Sequence, residues 1–111
     1  MTIYVDDDYN LYVSDAFNHR IMKYYPNNRT GTIVAGGLSP GSSPLQLNDP
    51  KGVAMDRTGA IIVGDSQNYR IQKFSNDSLV GMTVASNSSS SLFGITRDIR
   101  VDCYNNIIAT D

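Results

Sequence analysis

A fifteen-residue stretch occurs twice, and that repetition restricts the fold more than any other feature. Asn10 to Tyr24 reads Asn-Leu-Tyr-Val-Ser-Asp-Ala-Phe-Asn-His-Arg-Ile-Met-Lys-Tyr, and Ala60 to Phe74 reads Ala-Ile-Ile-Val-Gly-Asp-Ser-Gln-Asn-Tyr-Arg-Ile-Gln-Lys-Phe. Asp15, Asn18, Arg20 and Lys23 return as Asp65, Asn68, Arg70 and Lys73, each 50 positions on and without a gap. A third, cut-off copy ends at Asp111, 46 positions after Asp65. Periods of this length mark solenoids, propellers and repeat arrays, where one supersecondary unit stacks on the next.

Each unit reads as short strands. Ile3 to Asp6, Leu11 to Asp15, Arg20 to Tyr25 and Thr32 to Gly36 are β-branched or aromatic runs bounded by Asp, Asn, Pro or Gly. The second unit repeats the order over Gly52 to Asp56, Ile61 to Asp65, Arg70 to Phe74 and Met82 to Ser86, and the third begins with Ile99 to Asp102 and Ile107 to Asp111. Connections this short require antiparallel pairing, because a parallel crossover needs a dozen residues or more. Leu11-Tyr12-Val13 and Ile61-Ile62-Val63 are continuous apolar runs, which suit strands covered on both faces. The expected fold is therefore all-β: four-stranded antiparallel sheets fanned about an axis.

Composition agrees. All 11 acidic residues are Asp and Glu is absent, a poor mix for helices and a good one for turns. Hydrophobic residues make up 41%, enough for a packed core. The net charge of −2 lacks the basic footprint of a nucleic-acid binder. The single cysteine, Cys103, excludes an internal disulfide and has no basic sequence neighbour to activate it. No apolar run approaches the roughly 18 residues of a membrane span, and no signal-peptide pattern opens the chain. Asn28, Asn76 and Asn87 begin N-glycosylation tripeptides, a pattern expected by chance in a chain so rich in Asn and Ser. The compartment is left open between cytoplasmic and extracellular.

The turns carry most of the polar signal. Asp6 to Asp15, Asp56 to Asp65 and Asp102 to Asp111 align without gaps, with Asn10, Gly59 and Asn105 read as the positions that tolerate positive φ. In the Asp-x-x-Asn-x-Arg segments, Asp15 and Asp65 are expected to hold an Asx-type turn. Asn18 and Asn68 are expected to take the left-handed conformation, and Arg20 and Arg70 to pair with an Asp. Repetition in register assigns these six residues to structure rather than catalysis. Between units, 37–49 and the Ser-rich 87–91 read as loops, with Leu45 and Leu47 expected to tuck between sheets.

Candidate metal and catalytic sets fail on spacing or count. Asp6-Asp-Asp8-Tyr-Asn10 has the start of a calcium loop, but Leu11 and Phe17 stand where an EF-hand needs Gly and an acidic ligand. His19 is the only histidine and aligns with Tyr69, so its slot reads as one for a ring rather than a base. No metal, cofactor or catalytic residue is assigned.

These motifs resemble the NHL repeat family. The second unit carries Pro50-Lys-Gly52-Val-Ala-Met-Asp56, Gly59-Ala-Ile-Ile-Val-Gly-Asp65 and Asn68-Tyr-Arg70-Ile-Gln-Lys-Phe74; the first carries Asn18-His19-Arg20-Ile21. The third departs, with Thr96 and Asp98 in place of Pro50 and Gly52. The resemblance implies a β-propeller, usually six-bladed, of which 3–37 would be one blade, 50–87 a second and 93–111 the start of a third. It implies a non-catalytic scaffold that binds protein, with RNA the weaker partner and open sheet edges prone to self-association. The alternative it implies is a fragment of an amidating-lyase-like or lactonase-like enzyme whose metal ligands lie in other blades.

Overall fold

The computed structural model describes residues 2–86 and 98–110. It holds ten strands: β1 (Ile3–Val5), β2 (Leu11–Asp15), β3 (Arg20–Tyr24), β4 (Thr32–Gly36), β5 (Pro50–Met55), β6 (Ile61–Asp65), β7 (Arg70–Phe74), β8 (Met82–Ser86), β9 (Asp98–Val101) and β10 (Ile107–Thr110). They form two four-stranded sheets, β1–β4 and β5–β8, and a two-stranded sheet, β9–β10, all paired antiparallel between chain neighbours. The expected runs 87–91 and 93–97 and the final Asp111 lie outside the described residues.

The two complete sheets are near copies in register. Asp15 faces Arg20 across β2 and β3, and Asp65 faces Arg70 across β6 and β7. Both also slip register at one place in their outer pair, between Ile21 and Met22 and between Ile71 and Gln72. A bulge there increases the local twist. Its recurrence shows that the repeat specifies backbone shape and not only strand order.

Burial follows from the stacking. Alternate residues of the second sheet point to opposite neighbours. Val53, Val63 and Phe74 join Tyr12, Ile21 and Ala35 of the first sheet in one core, and Ala54, Ile62 and Ile71 join Ile99 of the third in another. The apolar run Ile61-Ile62-Val63 is thus covered on both faces, as its lack of alternation implies. The first sheet is covered on one face alone, and Ile3, Val5 and Leu11 on the other are exposed. Close approach fixes one residue type. A Cβ on Gly52 would stand 2.8 Å from Ile99 Cγ1 and 3.0 Å from its backbone nitrogen.

The loop between the sheets corrects half of one expectation. Leu47 is fully buried in the shared core, but Leu45 is 47% exposed. A Ser43–Gln46 backbone hydrogen bond closes a turn beneath Leu45 and sends its side chain outward. Among the described residues, no helix is long and apolar enough to cross a membrane.

These packing differences set a stability test. Leu47→Ala should cost about 2–5 kcal/mol, because it opens a cavity between rigid sheets. Leu45→Ala should fall within about 0.5 kcal/mol of wild type. Urea unfolding of both variants separates them, and equal midpoints would remove Leu47 from the core.

Candidate functional site

Three groups of polar residues stand out, two at opposite ends of the sheets and one between them. The first lies in the turns joining β1 to β2, β5 to β6 and β9 to β10. Asp6 Oδ1 accepts the N–H groups of Asp8 and Asn10 at 3.0 and 2.9 Å, and Asp56 Oδ1 those of Thr58 and Ala60 at 2.9 and 3.0 Å. Asp102 Oδ1 accepts from Tyr104 and Asn106 at 2.9 and 2.8 Å. The Asx-type turns thus belong to the leading aspartate of each aligned segment, not to Asp15 and Asp65. The left-handed residues are Tyr9, Gly59 and Asn105. In the first turn the expectation misses by one position: Tyr9 is left-handed instead of Asn10, whose side chain donates to Asp6 Oδ2 at 3.0 Å.

Hydrogen bonding sets the acidity of these carboxyls. Burial alone would raise Asp56, but bonds from the Thr58 hydroxyl, from the Ala60 and Thr58 N–H groups, and from Lys73 outweigh it and hold the carboxyl below the usual range. Asp6 is lowered in the same way, with burial opposed by Asn10, Asp8 and Tyr12.

The second group is at the opposite end, in the turns joining β2 to β3 and β6 to β7. Asp65 Oδ2 receives Arg70 Nε at 2.7 Å and Asn68 Nδ2 at 2.8 Å, while its Oδ1 receives the Asn48 N–H at 2.7 Å. Arg70 then reaches the preceding loop, donating from Nη1 to Ser42 O at 2.8 Å and from Nη2 to Ser43 O and Gln46 O at 3.1 and 3.0 Å. Asn68 adds a bond to Gly41 O at 2.8 Å. Asp65, fully buried, is balanced by a planar cation whose every nitrogen finds an acceptor. Asp15, Asn18 and Arg20 repeat the inner part, with Arg20 Nε and Asn18 Nδ2 at 2.8 and 3.0 Å from Asp15 Oδ2, but both ionic side chains are about 30% exposed. Neither asparagine is left-handed. Both end a short 3-10 turn, and the next residue, His19 or Tyr69, takes φ near +50°. His19 is more than a ring: its Nδ1 accepts the Asp49 N–H at 3.0 Å and ties the inter-sheet loop to the first sheet.

No sequence motif marks the third group. Between the first two sheets lies a cleft of about 250 Å³, lined by Tyr12, Lys23 and Tyr25 on one side and Ser75, Asn76 and Asp77 on the other. Lys23 Nζ sits 4.7 Å from the Tyr25 ring centre and 5.5 Å from that of Tyr12. Burial disfavours its charge, but the phenol oxygens of Tyr12 and Tyr25 more than offset that and raise its pKa. The available signal was a mismatch within the repeat: Tyr12 stands where the second sheet has Ile62.

Residues 47–74 match the NHL repeat family. The chain carries an NHL repeat. That repeat spans the second sheet's first three strands and includes Asp65, Asn68 and Arg70. Over 75 residues, 64% of the chain, it is 36% identical to the peptidyl-glycine alpha-amidating monooxygenase of Mus musculus, and equally to that of Rattus norvegicus. The chain spans 8% of the length of these relatives. A solved streptogramin B lyase superposes on 99% of the chain with a TM-score of 0.76 at 16% sequence identity, using 33% of its own length. At that identity the likeness speaks for fold alone, and the fold is a β-propeller type in both. Among the described residues, no three His, Cys, Asp or Glu side chains are grouped to hold a metal ion.

Two outcomes follow from this geometry. Arg70→Ala leaves Asp65 buried and unpaired and should cost about 3–5 kcal/mol, whereas Arg20→Ala breaks a half-exposed pair worth about 0.2–1 kcal/mol; denaturant titration reads both. Unfolded Asp titrates near about 3.9, and Asp6 and Asp56 titrate lower in the fold. Their stabilisation is therefore complete above that value and lost as pH falls through their folded pKa. Asp56→Asn should flatten this acid limb of the stability curve. An unchanged limb would remove Asp56 as its source.

Proposed function

We propose that this chain is part of a non-catalytic NHL-repeat β-propeller that binds a protein partner. The observation that carries this reading is the composition of one end of the sheets. The turns after β1, β3, β7 and β9 expose Tyr9 by 77%, Tyr25 by 47%, Leu79 by 51% and Tyr104 by 80%. Tyrosine offers a large amphipathic surface at low entropic cost and is enriched where proteins meet. By contrast, the repeated Asp65, Asn68 and Arg70 spend their hydrogen bonds on their own loop, as structural residues would. Asp15, Asn18 and Arg20 are assigned the same structural role. The net charge of −2 makes RNA the weaker partner, since phosphate binding depends on Lys and Arg. Exposed strand edges are a second route to contact, through self-association.

The second reading is a fragment of a propeller enzyme, and the 36% identity to the two amidating monooxygenases is what favours it. Its metal ligands would lie in blades beyond 1–111.

Photo-crosslinking distinguishes the two. A crosslinker at position 104 should give discrete adducts with one partner, absent when placed at Lys51 and lost in the Tyr9→Ser, Tyr25→Ser double variant. Adducts of equal yield from both positions would overturn the protein-binding reading. Stoichiometric zinc or calcium in the longer protein, with turnover of glycine-extended peptides, would establish the enzyme instead.

A further inference from the structure

Lys23 differs from its counterpart in the second sheet in the partner it keeps. Lys73 occupies the equivalent position and pairs with Asp56 Oδ2 at 3.3 Å. Lys23 has no carboxylate within 4.0 Å among the described residues. The cause is traceable. Asp6 corresponds to Asp56, but its Oδ2 is taken by the Tyr12 hydroxyl at 3.2 Å and Asn10 Nδ2 at 3.0 Å. Ala60 and Ile62, at the places of Asn10 and Tyr12, offer neither group and leave Asp56 Oδ2 to Lys73. Tyr12 and Asn10 together thus divert the acid and leave the ammonium beside two tyrosines.

We propose that the cleft is a binding site for a carboxylate carried on a compact polar body. Lys23 supplies the single positive charge, and the half-exposed Tyr25 ring supplies a flat apolar wall for a ring or chain. Thr32, Ser75 and Asn76 supply hydroxyl and amide groups around it. The volume of about 250 Å³ fits one sugar-sized or amino-acid-sized unit. Neutral rings and phenol oxygens hold a cation without neutralising it, so the ammonium keeps its charge for a charge-assisted hydrogen bond. A carboxylate of this kind has two sources, an acidic sugar or an acidic peptide side chain. The site lies wholly between two complete sheets and does not depend on a macromolecular partner.

The test is an NMR titration of the chain with D-glucuronate and, separately, with N-acetylglutamate amide. Methyl glucoside and N-acetylglutamine amide serve as their neutral counterparts. At low salt, at least one carboxylate should give saturable shifts at Lys23 and Tyr25, and the neutral probes should not. Whichever acid binds identifies the source. Lys23→Met should weaken binding by roughly tenfold or more, and Lys73→Met should leave it unchanged. The Asn10→Ala, Tyr12→Ile double variant copies the second sheet, frees Asp6 to take Lys23, and should abolish binding while the lysine remains. The proposal is overturned if neutral probes bind equally, if neither acid saturates, or if Lys23→Met binds as wild type does.

Discussion

A small four-stranded sheet with apolar residues on both faces cannot satisfy itself in water. Each face needs another sheet, and the covering sheet brings the same need with it. This constraint accounts for the repeat, because a chain meets it most simply by producing the same unit again. The second sheet shows the condition met. Its Val63 and Ile62, adjacent in sequence, are both fully buried, one against the first sheet and one against the third. At a few tens of calories per square ångström of apolar surface, such two-sided cover is the main favourable contribution available to strands this short.

Polar residues then decide how the sheets are joined. Ser14 accepts the Thr2 N–H at 2.8 Å and reaches the Lys51 carbonyl at 3.2 Å, linking the first sheet to the first strand of the second. Arg57 makes the corresponding link between the second and third sheets, with its N–H on Asn105 Oδ1 at 2.9 Å and its Nη1 on the Cys103 carbonyl at 3.0 Å. Both links join backbone groups of one sheet to polar groups of the next. They orient sheets that the apolar contacts alone would leave free to slide.

Strand positions were legible because β-branched runs between turn residues carry their own boundaries. The strands β2, β4, β6, β7 and β8 match expectation to the residue, β1 and β3 end one residue early, β5 and β9 differ by one or two residues at both ends, and β10 agrees over its described residues. That Arg20 and Arg70 pair with an Asp was legible from the repeat, but which Asp was not: the register of the hairpin sets Asp15 opposite Arg20 and Asp65 opposite Arg70. Turn conformation was not legible either. A left-handed residue is set by the hydrogen bonds around it as much as by its side chain, and the closing N–H of Asn10 or Ala60 forces the residue before it into that region. Tyr9, His19 and Tyr69 are there because of their position in the turn, not their identity. The Lys23 cleft was hidden because it depends on two segments far apart in sequence. Only the comparison of Tyr12 with Ile62 held a trace of it.

The segment from Gly41 to Asn48 has the look of a connector, yet its backbone supplies four carbonyl oxygens and one N–H to Asp65, Asn68 and Arg70. It behaves as a clasp of the sheet it precedes. The natural seam between modules therefore falls just after Gly37, well before the first residue of β5. Anyone grafting, permuting or shortening such units would keep the clasp with the sheet downstream. A cut at Pro50 would separate an arginine from the main-chain oxygens that hold it.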